Sequence, residues 1–377
     1  MLFINNDDVK RVLTTEDALR VLEDGHRELA RQELVARPRV DIYTQTDRTD
    51  RFHRWGTMEG SSKGLHRHAI RLKSDIVSWR DHGAGRVEDK YCIEPGTFCG
   101  LVFLFDTNTG EPLALINDGH LQHVRVAALA ALGAKYLAKA GASTVGMLGS
   151  GGMARSHLPA FVAVRPIKKV KVYSPTREHR EQYAREMEEL LDLEVVPCDS
   201  PEEAVHGADI LSACTSSEVP AVFARMLGPG MHLTQVAGEL APDVFPRIDV
   251  GIGGDPGSQL YSGRAVDDTQ GFPTYLAGDV AALEAAMGTS RHRRADGGES
   301  RDRGFRGRVV PLVDLINGTA IGRASEAEIS ASGGVRPEPG KQGLQFVTVG
   351  SLVYDRVKAA GLGREIPTEW FLQDIRN

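Results

Sequence analysis

The sequence predicts an α/β protein built on a doubly wound parallel sheet, with a second domain beside it. Three observations carry this. From Ser143 onward, short apolar segments of β type alternate with helical ones, the pattern of successive βαβ units. One junction, Gly149–Ala154, reads G-x-G-x-x-A between a strand and a helix. The chain has 377 residues, more than one ordinary core holds, so two domains are expected.

Each element follows from its residues. Leu2–Ile4 reads as a short strand. Thr15-Glu16-Asp17 opens an amphipathic helix to about Gln32, with Ala18, Leu19, Val21, Leu22 and Leu29 for its buried face. Extended segments run from Arg37 to Asp118; Leu101–Phe105 is a strand and Asn108–Pro112 a turn. Gly119–Ala140 is a long helix, rich in Ala and Leu from Val126 onward. Then come the strand Thr144–Leu148, the helix Met153–Val164, the strand Val170–Tyr173, a charged helix over Glu178–Leu191 and the strand Glu194–Pro197. Ser200-Pro201-Glu202-Glu203 has the form of a capping box with proline at the first helical position. Asp209–Ala213, His232–Val236 and Ile248–Ile252 supply three more strands. Gly288–Arg308 is polar, rich in Gly and Arg and without period, which favours a mobile surface loop over an RNA-binding segment. Val309–Ile321 and Gly343–Ala360 return to apolar helical patterns.

Composition narrows the function classes. With 41% hydrophobic and 25% charged residues the chain is globular. A net charge of -6 provides no basic footprint for nucleic acid. No apolar run reaches the roughly 20 residues that span a bilayer, and Met1–Asp8 lacks the regions of a signal peptide. Cys92, Cys99, Cys198 and Cys214 form no CxxC pair and fit no zinc or disulfide framework. A cytoplasmic setting is the expectation, with neither nucleic acid nor membrane as a partner.

The junction after Leu148 points to a dinucleotide. Gly149 permits a tight turn, Gly151 lets backbone approach a pyrophosphate, and Ala154 keeps helix and sheet close. Ser150, Gly152 and Met153 complete the loop, and the helix N-terminus offers free N–H groups to phosphate. The second strand ends at Ser174, Pro175, Thr176 and Arg177, with no acid to hold a ribose diol. Ser174, Thr176 and Arg177 suit a 2′-phosphate, so NADP is favoured over NAD; the alternative is that Arg177 only starts the next helix. Thr215 and Ser216, after the strand Asp209–Ala213, are placed to line the nicotinamide side.

Several segments in this order carry a resemblance: Arg37-Pro38-Arg39, Arg71-Leu72-Lys73, Phe105–Ala114, Gln122–Ala128, the glycine loop, Ala208-Asp209-Ile210, Gly230–Glu239 and Gly318–Arg323. The chain resembles the ornithine cyclodeaminase/μ-crystallin family along nearly its whole length. The resemblance implies an α+β substrate and dimerisation domain built from 1–124 and 320–377, with a Rossmann domain at 125–319 between them. It implies a homodimer and an active site in the cleft, where a nicotinamide faces the α-carbon of a small amino or imino acid. Activities of this kind include imine reduction, amino-acid dehydrogenation and cyclodeamination. The alternatives are a non-catalytic NADPH-dependent ligand carrier like μ-crystallin, or an accessory subunit of an amine-oxidising system.

The same resemblance assigns roles. Arg39 and Arg125 match the arginines that hold the substrate carboxylate, for which a guanidinium fork is the natural partner; the other reading of Arg125 is a helix-surface arginine. Lys73 matches the active-site lysine. Glu239 falls where cyclodeaminases carry an aspartate, and Glu59 lies near the family's other pocket carboxylate, with a surface role as the alternative. His66, His68, His120 and His123 have no metal-site spacing, so no metal is expected. The chain departs from the family at the expanded stretch Asp75–Pro95, at Gln122 and Val126 in place of threonines, and at the extra stretch Arg336–Gln342. These changes weigh against ornithine itself as substrate.

Overall fold

The structure, a computed structural model, describes residues 1–82, 85–217, 219–255, 275–287, 304–333, 335 and 341–375. Within them an eight-stranded sheet runs in the order Glu194–Pro197, Lys169–Tyr173, Thr144–Leu148, Ile210–Ala213, His232–Gln235, Ser330–Ser332, Val250–Ile252, Arg308–Val310. Every neighbouring pair in it is parallel. Its central strands are apolar on both faces because helices pack on the sheet; Val145, Met147, Val170, Val172, Ile210 and Leu211 are fully buried. The order reverses at Thr144–Leu148, from which the chain builds first one edge and then the other. A reversal of this kind opens a crevice at the carboxyl ends of the strands. The glycine loop and Cys214–Ser216 both leave their strands there.

A second, ten-stranded sheet has an antiparallel centre, Val40–Gln45, Phe52–Ser62, Arg67–His82, Cys99–Asp106 and Pro112–Asn117. Gly85–Tyr91 folds back on the end of Arg67–His82. The helix Lys341–Ala359 lies across Phe52–Ser62 and Arg67–His82. A Cβ on Gly343 would stand 1.8 Å from the Glu59 carbonyl oxygen, so only glycine lets this helix start directly on the strand.

The helix Gly119–Leu137 joins the two sheets. It packs against Gly152–Val162, Thr15–Ala30 and Ser330–Ser332 and is apolar nearly all round, as a helix enclosed on several sides must be. Its N-cap residue, Asp118, makes no side-chain cap; the carboxylate turns instead to Arg71 Nε at 2.6 Å. Asp255, at the end of the strand Val250–Ile252, ties the sheets together a second time. It accepts from the Val313 N–H at 3.2 Å and pairs with Lys341 Nζ at 2.6 Å, with His26 Nδ1 at 3.3 Å.

Several expectations need correction. A helix Asn6–Val12 follows the first strand, capped by Asn5 Oδ1, which accepts from the N–H groups of Asp7 and Asp8. Val309–Ile321 is not one helix. Pro311 lacks an N–H and separates the strand Arg308–Val310 from the helix Leu312–Asn317, which Gly318 ends at φ +69°. Ser200 caps its helix through the Glu203 N–H, but the Glu203 carboxylate accepts from Asp199 N rather than Ser200 N. Ser330–Ser332, assigned by the expected partition to the substrate domain, pairs inside the parallel sheet, and Tyr275–Ala277 pairs with Val40–Gln45 in the other. Most of the expected loop, 288–303, lies outside the described residues.

Candidate functional site

The glycine loop has the shape its residues suggest. Gly149 sits at φ +106°, and a Cβ there would stand 2.2 Å from the Cys214 carbonyl oxygen. A Cβ on Gly151 would meet nothing within 4 Å, so the loop backbone faces open space at this residue. Gly151 is also the N-cap of the helix Gly152–Val162 and has no side chain to cap it. The first N–H groups of that helix are therefore available to an anion. Ala154 is fully buried, and its carbonyl accepts from the Tyr183 hydroxyl at 3.2 Å. The Ser150 carbonyl takes a hydrogen bond from Arg155, and Met153 is half-buried. The His123 ring lies 3.0 Å from where a Gly152 Cβ would be. These features fit the pyrophosphate of a dinucleotide.

At the end of the second strand, the Ser174 carbonyl accepts from Arg180 Nη1 at 3.1 Å. Thr176 precedes the helix Arg177–Leu191 without capping it. Arg177 is exposed and pairs with Glu181 at 2.7 Å. Thr215 donates its backbone N–H to Glu239 Oε1 at 3.2 Å, and Ser216 is exposed beside it. The Glu239 carboxyl is fully buried, with Oε2 accepting from the Ala237 N–H at 2.8 Å. It fastens two turns at the crevice.

A dense group of charges lies on the antiparallel sheet. Arg71, Lys73 and Asp75 alternate along Arg67–His82 and so share one face. Arg71 pairs with Asp118. Lys73 Nζ lies 3.1 Å from Asp75 Oδ2. Arg39 forks onto Asp41 at 2.9 and 2.6 Å. Gly56 makes room for this group, since a Cβ there would fall 2.2 Å from Asp41 Oδ1 and 2.8 Å from Lys73 Cε. Burial pushes the Lys73 ammonium well below the usual lysine range, and the neighbouring Arg39 and Arg54 guanidinium groups push the same way.

Arg125, on the helix Gly119–Leu137, is buried against the Phe346 ring at 4.7 Å. Its N–H groups reach only amides: Gln122 Oε1 at 2.7 and 3.2 Å and Gln345 Oε1 at 2.7 Å. Burial and the neighbouring Arg71 and Arg39 work against its charge, while Asp118, already paired with Arg71, works for it. A guanidinium keeps its proton in proteins. The site is left short of one anion.

Arg39, Lys73 and Arg125 thus come together, with Arg39 acting electrostatically on both of the others. Glu59 is placed differently. It is forked by Arg37 at 2.5 and 2.6 Å, which holds its carboxyl below the usual range. Sequence reasoning missed Asp41, Arg54, Asp75 and Asp118. The alternation Arg71, Lys73, Asp75 was a legible sign of a charged inward face. Gln345 and Phe346 come from a distant helix, and no local pattern marks them.

The model of the ornithine cyclodeaminase/mu-crystallin family matches residues 94–245. A Delta(1)-pyrroline-2-carboxylate reductase of Bacillus cereus is 36% identical over 140 residues, 37% of this chain and 43% of that protein. The ketimine reductase mu-crystallin of Rattus norvegicus is 33% identical over 142 residues, 38% of this chain and 44% of that one. The chain therefore spans less than half the length of these curated relatives. The fold extends further. The structure of Thermococcus litoralis Delta(1)-pyrroline-2-carboxylate reductase in complex with NADH and L-proline superposes with a TM-score of 0.72, 20% identity and coverage of 97% of this chain and 100% of that one. Over residues 94–245, this chain is similar to the ornithine cyclodeaminase/mu-crystallin family.

Proposed function

We propose that the protein is an NAD(P)-dependent enzyme acting on the C–N bond of a small amino or imino acid, by hydride transfer at the α-carbon. The observation that carries this is Arg125, a buried guanidinium whose hydrogen-bond partners are amides only, in one electrostatic group with Arg39 and Lys73. A carboxylate supplies the anion this group lacks, and the remaining N–H groups of the guanidinium orient it. A bound nicotinamide supplies the hydride. Lys73, lowered by burial, exchanges the proton at the substrate nitrogen. We assign the proton to Lys73 rather than Glu239 or Glu59, because backbone N–H groups occupy Glu239 and Arg37 occupies Glu59. Imine reduction needs Lys73 as an acid, so kcat/KM in that direction falls as pH rises through its lowered value; in the oxidative direction the sign reverses.

The charge inventory selects a substrate class. Asp41, Asp75, Glu88 and Asp118 each face a cation. No carboxylate among them is left for a second ammonium, so an imino acid without a side-chain amine fits better than ornithine. An absorbance assay at the NADPH band, with pyrroline-2-carboxylate, piperideine-2-carboxylate and pyruvate plus amines, tests the reading. Net NADPH consumption supports a reductase. Ammonia release from ornithine without net absorbance change would make the protein a cyclodeaminase. Neither signal would leave a carrier of the mu-crystallin type or an accessory subunit.

The finer cofactor choice follows from Ser174, Thr176 and Arg177, which favour NADPH. The Arg177–Glu181 pair is exposed and costs little to open. Arg177→Ala should weaken NADPH by about 1.5–3 kcal/mol and leave NADH nearly unchanged; equal losses in titration calorimetry would reject the assignment. The assembly is a homodimer formed by the N- and C-terminal segments, and light scattering that returned a monomer at working concentration would defeat this.

A further inference from the structure

The charges around Lys73 continue in a line through the sheet. Asp75 Oδ2 lies 3.1 Å from Lys73 Nζ and 3.0 Å from Arg54 Nη2, and Arg54 Nη1 lies 3.0 Å from Glu88 Oε2. All four side chains are almost wholly enclosed, at 2–9% exposure. Glu88 comes from the strand Gly85–Tyr91, which pairs with the end of Arg67–His82. Two carboxylates therefore serve the two enclosed cations, with Arg54 shared between them and Lys90 at the outer side of Glu88.

Removing Glu88 would upset this balance. Arg54 and Lys73 would then compete for Asp75, the one carboxylate that both contact directly. The guanidinium is permanently charged and its fork suits a carboxylate, so it would draw Asp75 to itself. Lys73, enclosed and left with only Asp41, itself forked by Arg39, as a counter-charge, would release its proton more readily.

We propose that Glu88 is a positioning residue: by holding Arg54 from its far side, it leaves Asp75 free to pair with Lys73 and so keeps the ammonium in the cleft. The proposal rests on the reading of Lys73 as the proton carrier. The other groups that face Lys73 are Arg39 and Asp41 at the strand Val40–Gln45. Lys90, half-exposed and 3.9 Å from Glu88, is the further cation on the strand Gly85–Tyr91.

The test is a 13C NMR titration of protein labelled at lysine Cε, with the Lys73 signal identified by its loss in Lys73→Met. In Glu88→Gln the Lys73 titration should move down by about one pH unit. The limb of the kcat/KM profile that vanishes in Lys73→Met should move with it. Glu88→Asp keeps the charge and should move less. Arg54→Met combined with Glu88→Met removes one cation and one anion, and should return the titration to its native position even if Glu88→Gln folds poorly. An unmoved Lys73 titration in Glu88→Gln, or an equal fall in the double variant, would overturn the proposal. Full activity with an intact pH limb in Lys73→Met would instead defeat the proton-carrier reading, whatever the NMR shift.

Discussion

Arg125→Leu is expected to lower kcat/KM by about 2–5 kcal/mol, as for an enclosed charge pair that loses one member. The cause lies in its surroundings. Arg39, Arg54 and Arg71 each have a protein carboxylate at 3.0 Å or less. Arg125 has Gln122, Gln345 and the face of Phe346. Without an anion, the buried guanidinium costs stability, so the leucine variant should fold at least as well as the native protein. Loss of rate with a raised or unchanged melting temperature is the expected signature. Arg125→Lys should restore only part of the rate, since an ammonium cannot reproduce the guanidinium contact. A carboxamide analogue of the substrate should be poor for the native enzyme and lose little more in Arg125→Leu. A variant that still separated acid from amide as strongly as the native protein would remove Arg125 from the carboxylate site.

Gly149→Ala and Gly151→Ala should fail in different ways. At Gly149 a methyl group would collide with the Cys214 carbonyl, and φ +106° is a region that alanine resists. Overpacking and backbone strain together should cost about 2–4 kcal/mol of stability, visible as an earlier thermal transition without any ligand. At Gly151 the same methyl group meets open space. The apo protein should melt as the native one does, while NADPH binding weakens at least about tenfold, or 1.4 kcal/mol. On the proposed dinucleotide site, the methyl group would obstruct the pyrophosphate at the helix N-terminus. If Gly151→Ala bound dinucleotide normally, the phosphate would have to lie elsewhere on the loop. If Gly149→Ala melted normally, the contact with Cys214 would be relieved by a shift of that turn.

The parallel sheet was legible because its cause is local. Short apolar runs, the turn chemistry at Gly149 and the spacing of a βαβ unit all lie within some thirty residues of one another. The helix Asn6–Val12 was legible too, through Asn5 and the acids that follow it, and was overlooked. The placement of Ser330–Ser332 between His232–Gln235 and Val250–Ile252 was not. Three small residues have no strand signature, and their position depends on Gly133, where a Cβ would fall 2.2 Å from the Ser332 side chain.

The candidate site divides in the same way. Positions 149–154 are marked by local turn chemistry, whereas Arg39, Lys73 and Arg125 were singled out through the family resemblance. Which charges are satisfied is a property of space. Arg39 found Asp41 two residues away, whereas Glu59 found Arg37 across paired strands and Glu239 found the N–H groups of two turns. Arg125 was left among amides by a helix that begins 216 positions later in the chain, at Lys341. The sequence by itself determined the fold class, the dinucleotide loop and the set of candidate ions. Only the tertiary structure decided which ion lacks a partner, because an ion pair forms over 3 Å between segments whose separation along the chain does not predict their distance.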